Sequence, residues 1–188
     1  MNSSQIQLIQ AQSEVDYERI ALLARKIWRE HYIPMIGEEQ VEYMLNKFQS
    51  AEKMEQDVEN NNYSYYMMMD MDRLVGYVGI QPDDKGGLYL SKLYIDSDYR
   101  GLGLARRALS MLKVYCAANQ LDHIWLTVNK NNANSIAAYY RMGFEKECDL
   151  VSDIGGGYVM DEDVYKRQRN ACDRSPLHLC GISVKLFD

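Results

Sequence analysis

Leu93-Tyr94-Ile95-Asp96-Ser97-Asp98-Tyr99-Arg100-Gly101-Leu102-Gly103-Leu104-Ala105-Arg106 carries an apolar run into a glycine-containing loop and then into a helical pattern. Residues 88–95 before it read as a strand. Ala105, Ala108, Leu109, Leu112 and Cys116 behind it recur at helical spacing and predict a helix over 104–119. A helix that opens from such a loop presents unpaired N–H groups and the positive end of its dipole, which suits an anion. Gly101 and Gly103 let backbone approach a phosphate without a Cβ in the way, and Arg100 can add a cationic contact. The same glycines would also serve a plain strand-to-helix turn.

Upstream, residues 5–12 read as a first strand. Ser13-Glu14-Val15-Asp16 matches a capping box ahead of a helix carrying Tyr17, Ile20, Ala21, Ala24, Ile27 and Trp28, which Pro34 is expected to end. Val41, Met44, Leu45 and Phe48 predict a second helix over 38–48, and Ser50 caps a short third through 58. Strands follow over 63–69, 74–80 and 88–95. Downstream of the loop and its helix come a strand over 123–128, a helix over 134–142 and two strands flanking Gly155-Gly156-Gly157. The order is one strand, three helices, three strands, helix, strand, helix, two strands. No linker rich in Pro, Gly or Ser divides it.

A second stretch narrows the reading. Trp125-Leu126-Thr127-Val128-Asn129-Lys130-Asn131-Asn132-Ala133-Asn134-Ser135-Ile136-Ala137-Ala138-Tyr139-Tyr140-Arg141-Met142-Gly143-Phe144 resembles the latter half of the GNAT superfamily of N-acetyltransferases, with Asn132, Ser135, Tyr139, Gly143 and Phe144 at the motif positions. Arg100, Gly103 and Ala105 likewise fit that family's loop signature. The resemblance covers residues 5–162. It implies an α/β (α+β) fold: a mixed sheet of about six to seven strands flanked by helices and splayed between its two central parallel strands.

Roles follow from the resemblance by position. Arg100, Gly101, Leu102, Gly103, Leu104 and Ala105 would hold the pyrophosphate of acetyl-CoA. Leu93, Tyr94 and Ile95 would pair by backbone with the pantetheine arm, and an N–H of Leu93 or Tyr94 would face the thioester oxygen. Asn132 and Ser135 would lie near the lower part of the cofactor, although Asn132 also suits a helix cap. Tyr139 would protonate the departing thiolate; without the resemblance it reads more readily as a packing aromatic. Tyr140, one residue out of register, should point elsewhere. Many members carry a glutamate base on the strand before the loop. Residues 88–93 hold no carboxylate, only Ser91 and Lys92.

The implied activity is transfer of the acetyl group of acetyl-CoA to a primary amine of a small molecule. Trp28, His31, Tyr32 and Met35, with Tyr43 beyond, gather where an acceptor would enter. Aromatic faces hold cations, and the region resembles members that acetylate polyamines such as spermidine. Packing on the sheet explains Trp28 equally well. Two other readings stay open: an acyl-CoA-binding regulatory module without turnover, and an acetyltransferase for a protein N-terminus or lysine. Gly101-Leu102-Gly103 as a dinucleotide fingerprint ranks last, because Arg106 stands where a third small residue belongs.

Composition sets the outer bounds. The chain has 188 residues, 27 acidic and 21 basic, for a net charge of −6. Hydrophobic residues make up 47%, which excludes a disordered or fibrous chain. The acidic balance argues against a nucleic-acid surface. No apolar run approaches the ~20 residues of a membrane span, and the polar start lacks a signal-peptide pattern. Cys116, Cys148, Cys172 and Cys180 form no metal-ligand spacing, so no metal is expected and a cytoplasmic location is. Monomer and homodimer stay open. Asp163-Val164-Tyr165-Lys166-Arg167-Gln168 equals the translation of a transposon-end adapter used in sequencing libraries. Residues 1–162 are therefore expected to be the acetyltransferase domain, and 163–188 a non-native chimeric tail.

Overall fold

Seven strands form one mixed sheet in the computed structural model, which describes residues 6–168. Chain order is β1 (Ile6–Gln10), α1 (Glu14–Ile36), α2 (Glu38–Phe48), α3 (Ala51–Asn60), β2 (Ser64–Asp70), β3 (Arg73–Pro82), β4 (Gly87–Ile95), α4 (Leu104–Ala118), β5 (His123–Asn129), α5 (Ala133–Arg141), β6 (Glu145–Gly155) and β7 (Tyr158–Gln168). A single 3-10 turn, Ser97–Tyr99, sits between β4 and α4. The strands lie side by side as β1-β2-β3-β4-β5-β7-β6. All neighbours are antiparallel except β4 and β5.

The sheet separates two cores. One gathers α4 with Ile80, Leu88, Leu90, Leu126 and Phe144; the other gathers α1, α2 and α3 with Tyr65, Met67, Met69 and Tyr77. Inner strands are covered on both faces, so β2 and β3 are apolar almost throughout and do not alternate. The capping box forms as the sequence predicts: Ser13 accepts from the Asp16 N–H, and the Asp16 carboxylate accepts from the Ser13 N–H. Pro34 does not end α1, which runs on to Ile36. A proline this near a C-terminus removes only one late hydrogen bond, and Ile33 and Ile36, on either side of it, pack onto the core. Gly37, with φ of 83°, then turns the chain into α2.

β7 runs six residues beyond the boundary expected at 162. Val164 and Tyr165 pair with Thr127 and Leu126 of β5, and Tyr165 is buried. The rest of the expected tail, with Cys172 and Cys180, lies outside the described residues, as do residues 1–5. No described helix is long and apolar enough to cross a membrane.

Candidate active site

β4 and β5 pair over three residues only, Gly87, Leu88 and Tyr89 with His123, Ile124 and Trp125. Tyr89 stacks on Trp125 at the last pair, with ring centroids 4.1 Å apart, and beyond it the strands part. A cavity of about 1130 Å³ opens there. Along its β4 wall the direction of the backbone can be worked out. The Asp96 N–H bonds the Val75 carbonyl of β3 at 2.9 Å. Alternation then turns the Tyr94 backbone to β3 and the Leu93 and Ile95 groups into the gap. The Arg100 Nε donates to the Ile95 carbonyl at 3.1 Å, from the same side. Of the two expected thioester donors, the Leu93 N–H faces the gap. Tyr94 contributes its ring instead, stacked on Tyr77 and tilted against Trp28.

The glycine loop closes one end. Gly103, at φ of 79°, is left-handed, and a Cβ there or at Gly101 would meet nothing within 4 Å. The first N–H that continues the helical ladder is that of Arg107, to the Gly103 carbonyl, so the N–H groups of Leu104, Ala105 and Arg106 stand before it. Gly101, Gly103, Leu104 and Ala105 all line the cavity, whereas Leu102 turns into the core. Asp96, 2% exposed, fixes the loop. It caps the 3-10 turn through the Asp98 N–H and binds Lys26 of α1 at 2.9 Å, with Arg73 at 3.5 Å. These cations, and the hydrogen bonds with them, hold its carboxyl below the usual range against the effect of burial.

α5 supplies the opposite wall. Asn132 caps it, its side chain accepting from the Ser135 N–H at 3.3 Å. Tyr139 is half-buried, lines the cavity and meets Phe144 edge-on. Burial raises its phenol above the ordinary value, as does the neighbouring Tyr32. Tyr140, as expected, points away: it is 51% exposed and leans on Tyr165. The three acceptor-side candidates reach this point too. Towards the end of α1 the Tyr32 ring lies tilted against Trp28 and edge-on to His31, and Tyr32 hydrogen-bonds with Tyr94 and Asn132. Burial and Arg100 push the His31 imidazole down, so it is neutral near pH 7. Tyr43 donates to the Ile154 carbonyl at 2.7 Å and pins the β6–β7 turn to α2.

Two side chains were not picked out in the sequence as site residues. Glu162 of β7 lines the cavity at 9% exposure. Burial raises its carboxyl above the ordinary value, against a hydrogen bond from the Thr127 hydroxyl of β5. Lys92 of β4 is 7% exposed and sits over the rings of Tyr63 and Tyr65, 5.4 and 5.5 Å from their centroids. Its ammonium touches the Ser91 hydroxyl at 3.3 Å. Burial pushes it down to about 8, against the pull of Asp57. No local motif marks either residue; Glu162 comes to the gap through the pairing of Asn129 with Glu162 across β5 and β7. Among the described residues no group of His, Cys, Asp and Glu could hold a metal.

The profile of the acetyltransferase (GNAT) family matches residues 24–144, a span that holds both the loop and α5. The chain belongs to the GNAT family. A probable spermine N(1)-acetyltransferase of Bacillus subtilis subsp. natto and a spermine/spermidine N(1)-acetyltransferase of Bacillus subtilis strain 168 are each 32% identical over 99 residues, 48% of this chain. The matched stretch spans 64% of the length of those relatives. The fold is shared with the PaiA N-acetyltransferase of Thermoplasma acidophilum, solved in complex with coenzyme A. The TM-score is 0.72 at 19% identity, over 87% of this chain and 98% of that one.

Proposed function

We propose that the protein transfers the acetyl group of acetyl-CoA directly to a primary amine of a small molecule. The observation that carries this reading is the parting of β4 from β5 beyond Tyr89, with a glycine loop at one end and a phenol in the gap. The N–H groups of Leu104, Ala105 and Arg106 and the α4 dipole would bind the diphosphate, with Arg100 alongside. The Leu93 N–H would stabilise the oxyanion that forms when the amine attacks the thioester, a contact worth roughly 3–4 kcal/mol. As the carbon–sulfur bond breaks, Tyr139 would give its proton to the thiolate. Its raised affinity for that proton keeps it protonated throughout the neutral range. Both partners held in one cleft add the gain of a single encounter.

Spermine and spermidine head the list of acceptors. The matched relatives, the aromatic end of α1, the Glu162 carboxylate and the net charge of −6 all support a cationic amine. The exposed Cys148 thiol fits a reducing, cytoplasmic setting. We also propose that residues 163–188 are foreign sequence joined to the domain after Glu162, with Val164 and Tyr165 filling the place of the native strand. A transcript that preserves the tail across the locus would refute that.

The test is release of CoA thiol from acetyl-CoA with a panel of polyamines, monoamines and peptides, for wild type and Tyr139→Phe. Turnover with a small amine, lost ~10²-fold or more in Tyr139→Phe while CoA binding persists, supports the reading. CoA binding without turnover of any amine would make the domain a binding module. Turnover of peptides alone would make its acceptor a protein.

A further inference from the structure

We propose that Glu162 is the catalytic carboxylate that takes a proton from the acceptor's ammonium and readies its nitrogen for attack, an inference that rests on the acetyl-transfer reading above. The family's usual carboxylate on the strand before the loop is absent, and the cavity offers two others, Asp57 and Glu162. Asp57 is committed: its Oδ1 accepts from Lys53 at 2.5 Å and from Asn61 at 2.9 Å. Glu162 has the Thr127 hydroxyl, which in turn lies 3.4 Å from the Tyr89 hydroxyl at the point where the strands divide.

Position favours it further. Tyr158 and Met160 pack in the core beneath α1 to α3, and alternation along β7 puts Glu162 on that same face. Tyr139 packs against the other core, beneath α4. Amine and thiolate would thus be served from opposite faces of the sheet, with Tyr32 electrostatically coupled to both Glu162 and Tyr139. The groups that face Glu162 are Tyr32 of α1, Tyr89 of β4 and Thr127 of β5. Elsewhere in the cavity stand His31, Lys53, Asp57, Lys92, Arg100, Arg106 and Arg141. Lys130, Lys146, Asp149, Asp161 and Asp163 pair among themselves, and Asp161 and Asp163 point to the opposite face from Glu162. Burial raises the Glu162 carboxyl towards the range where a base works best near neutrality.

The protons balance. The ammonium gives one proton to Glu162 and the free amine adds to the thioester carbon. The carbon–sulfur bond breaks as Tyr139 protonates sulfur. The new amide nitrogen sheds its second proton to solvent, the Tyr139 phenolate regains one from solvent, and Glu162 releases its own, so one proton is set free overall.

The experiment compares kcat/KM of the full chain and Glu162→Gln from pH 6 to 10, with spermidine and with 2,2,2-trifluoroethylamine, which is neutral at pH 7. The expected result is a deficit of about 10²-fold with spermidine at pH 7. It should narrow as pH rises and be near unity with trifluoroethylamine, while Glu162→Asp keeps part of the activity and CoA binding is unchanged. A deficit confined to KM and independent of pH would make Glu162 an anchor for the cation and overturn the proposal. So would an unimpaired Glu162→Gln. Wild type inert towards every amine would instead overturn the acetyl-transfer reading, and the role of Glu162 with it.

Discussion

Replacing Lys92 by Met should stabilise the protein at pH 7, and the gain should fade as the solution is made alkaline. An ammonium at 7% exposure has lost most of its water, and burial lowers it from 10.5 to about 8. At ~1.36 kcal/mol per pH unit, that fall is worth about 3.4 kcal/mol. The unfolded chain holds the proton up to 10.5 and the folded chain only to about 8. Wild-type stability therefore carries the full cost below pH 8 and recovers it between 8 and 10.5. Met matches the length and volume of the stem, so the cavity term is small. Asp57 keeps Lys53 and Asn61 as partners. Urea unfolding of both proteins at pH 7, 9 and 10.5 measures the gap, and tyrosine ionisation cancels in the difference. The gap should shrink by about 3 kcal/mol across that range. A gap that stays constant with pH, or a variant less stable than wild type at pH 7, would refute the picture of a desolvated charge.

Gly103→Ala should cost about 1 kcal/mol in unfolding free energy, because φ is 79° there, and should weaken CoA binding in calorimetry well beyond what that strain implies, since the new methyl projects into the open end of the cavity. Asn132→Ala removes the α5 cap and the side chain that Tyr32 bonds; stability should fall by about 1 kcal/mol in urea, and KM for the amine should rise more than KM for acetyl-CoA.

What the sequence reveals depends on how local each cause is. The helices with strong 3.6-residue patterning were legible almost to their ends, as Val41, Met44 and Leu45 of α2 show. The helix bearing Pro34 was not, because tertiary packing of Ile33 and Ile36 outweighs a single lost hydrogen bond. Gly101, Gly103, Asn132 and Tyr139 could be found because each belongs to a short run whose spacing carries the meaning. Leu102 could not be told from its neighbours, since nothing in a loop signature says which residue turns inward. Glu162 and Thr127 lie 35 positions apart, and only the antiparallel pairing of β5 with β7 unites them. The reach of β7 to Gln168 has a related cause: a strand forms wherever hydrogen-bonding edges and an apolar slot are offered, and Tyr165 takes that slot whatever its origin.

The seam of three residue pairs between β4 and β5 divides the sheet into a four-strand and a three-strand leaf, like a book bound along a short length of spine. Below the binding, the inner margins of both leaves lack a strand neighbour until something is laid between them. Amide hydrogens of Leu93 and Ile95 should therefore swap for deuterium quickly when the book is open and slowly once a guest fills the crease, making the β4 margin an internal gauge of occupancy.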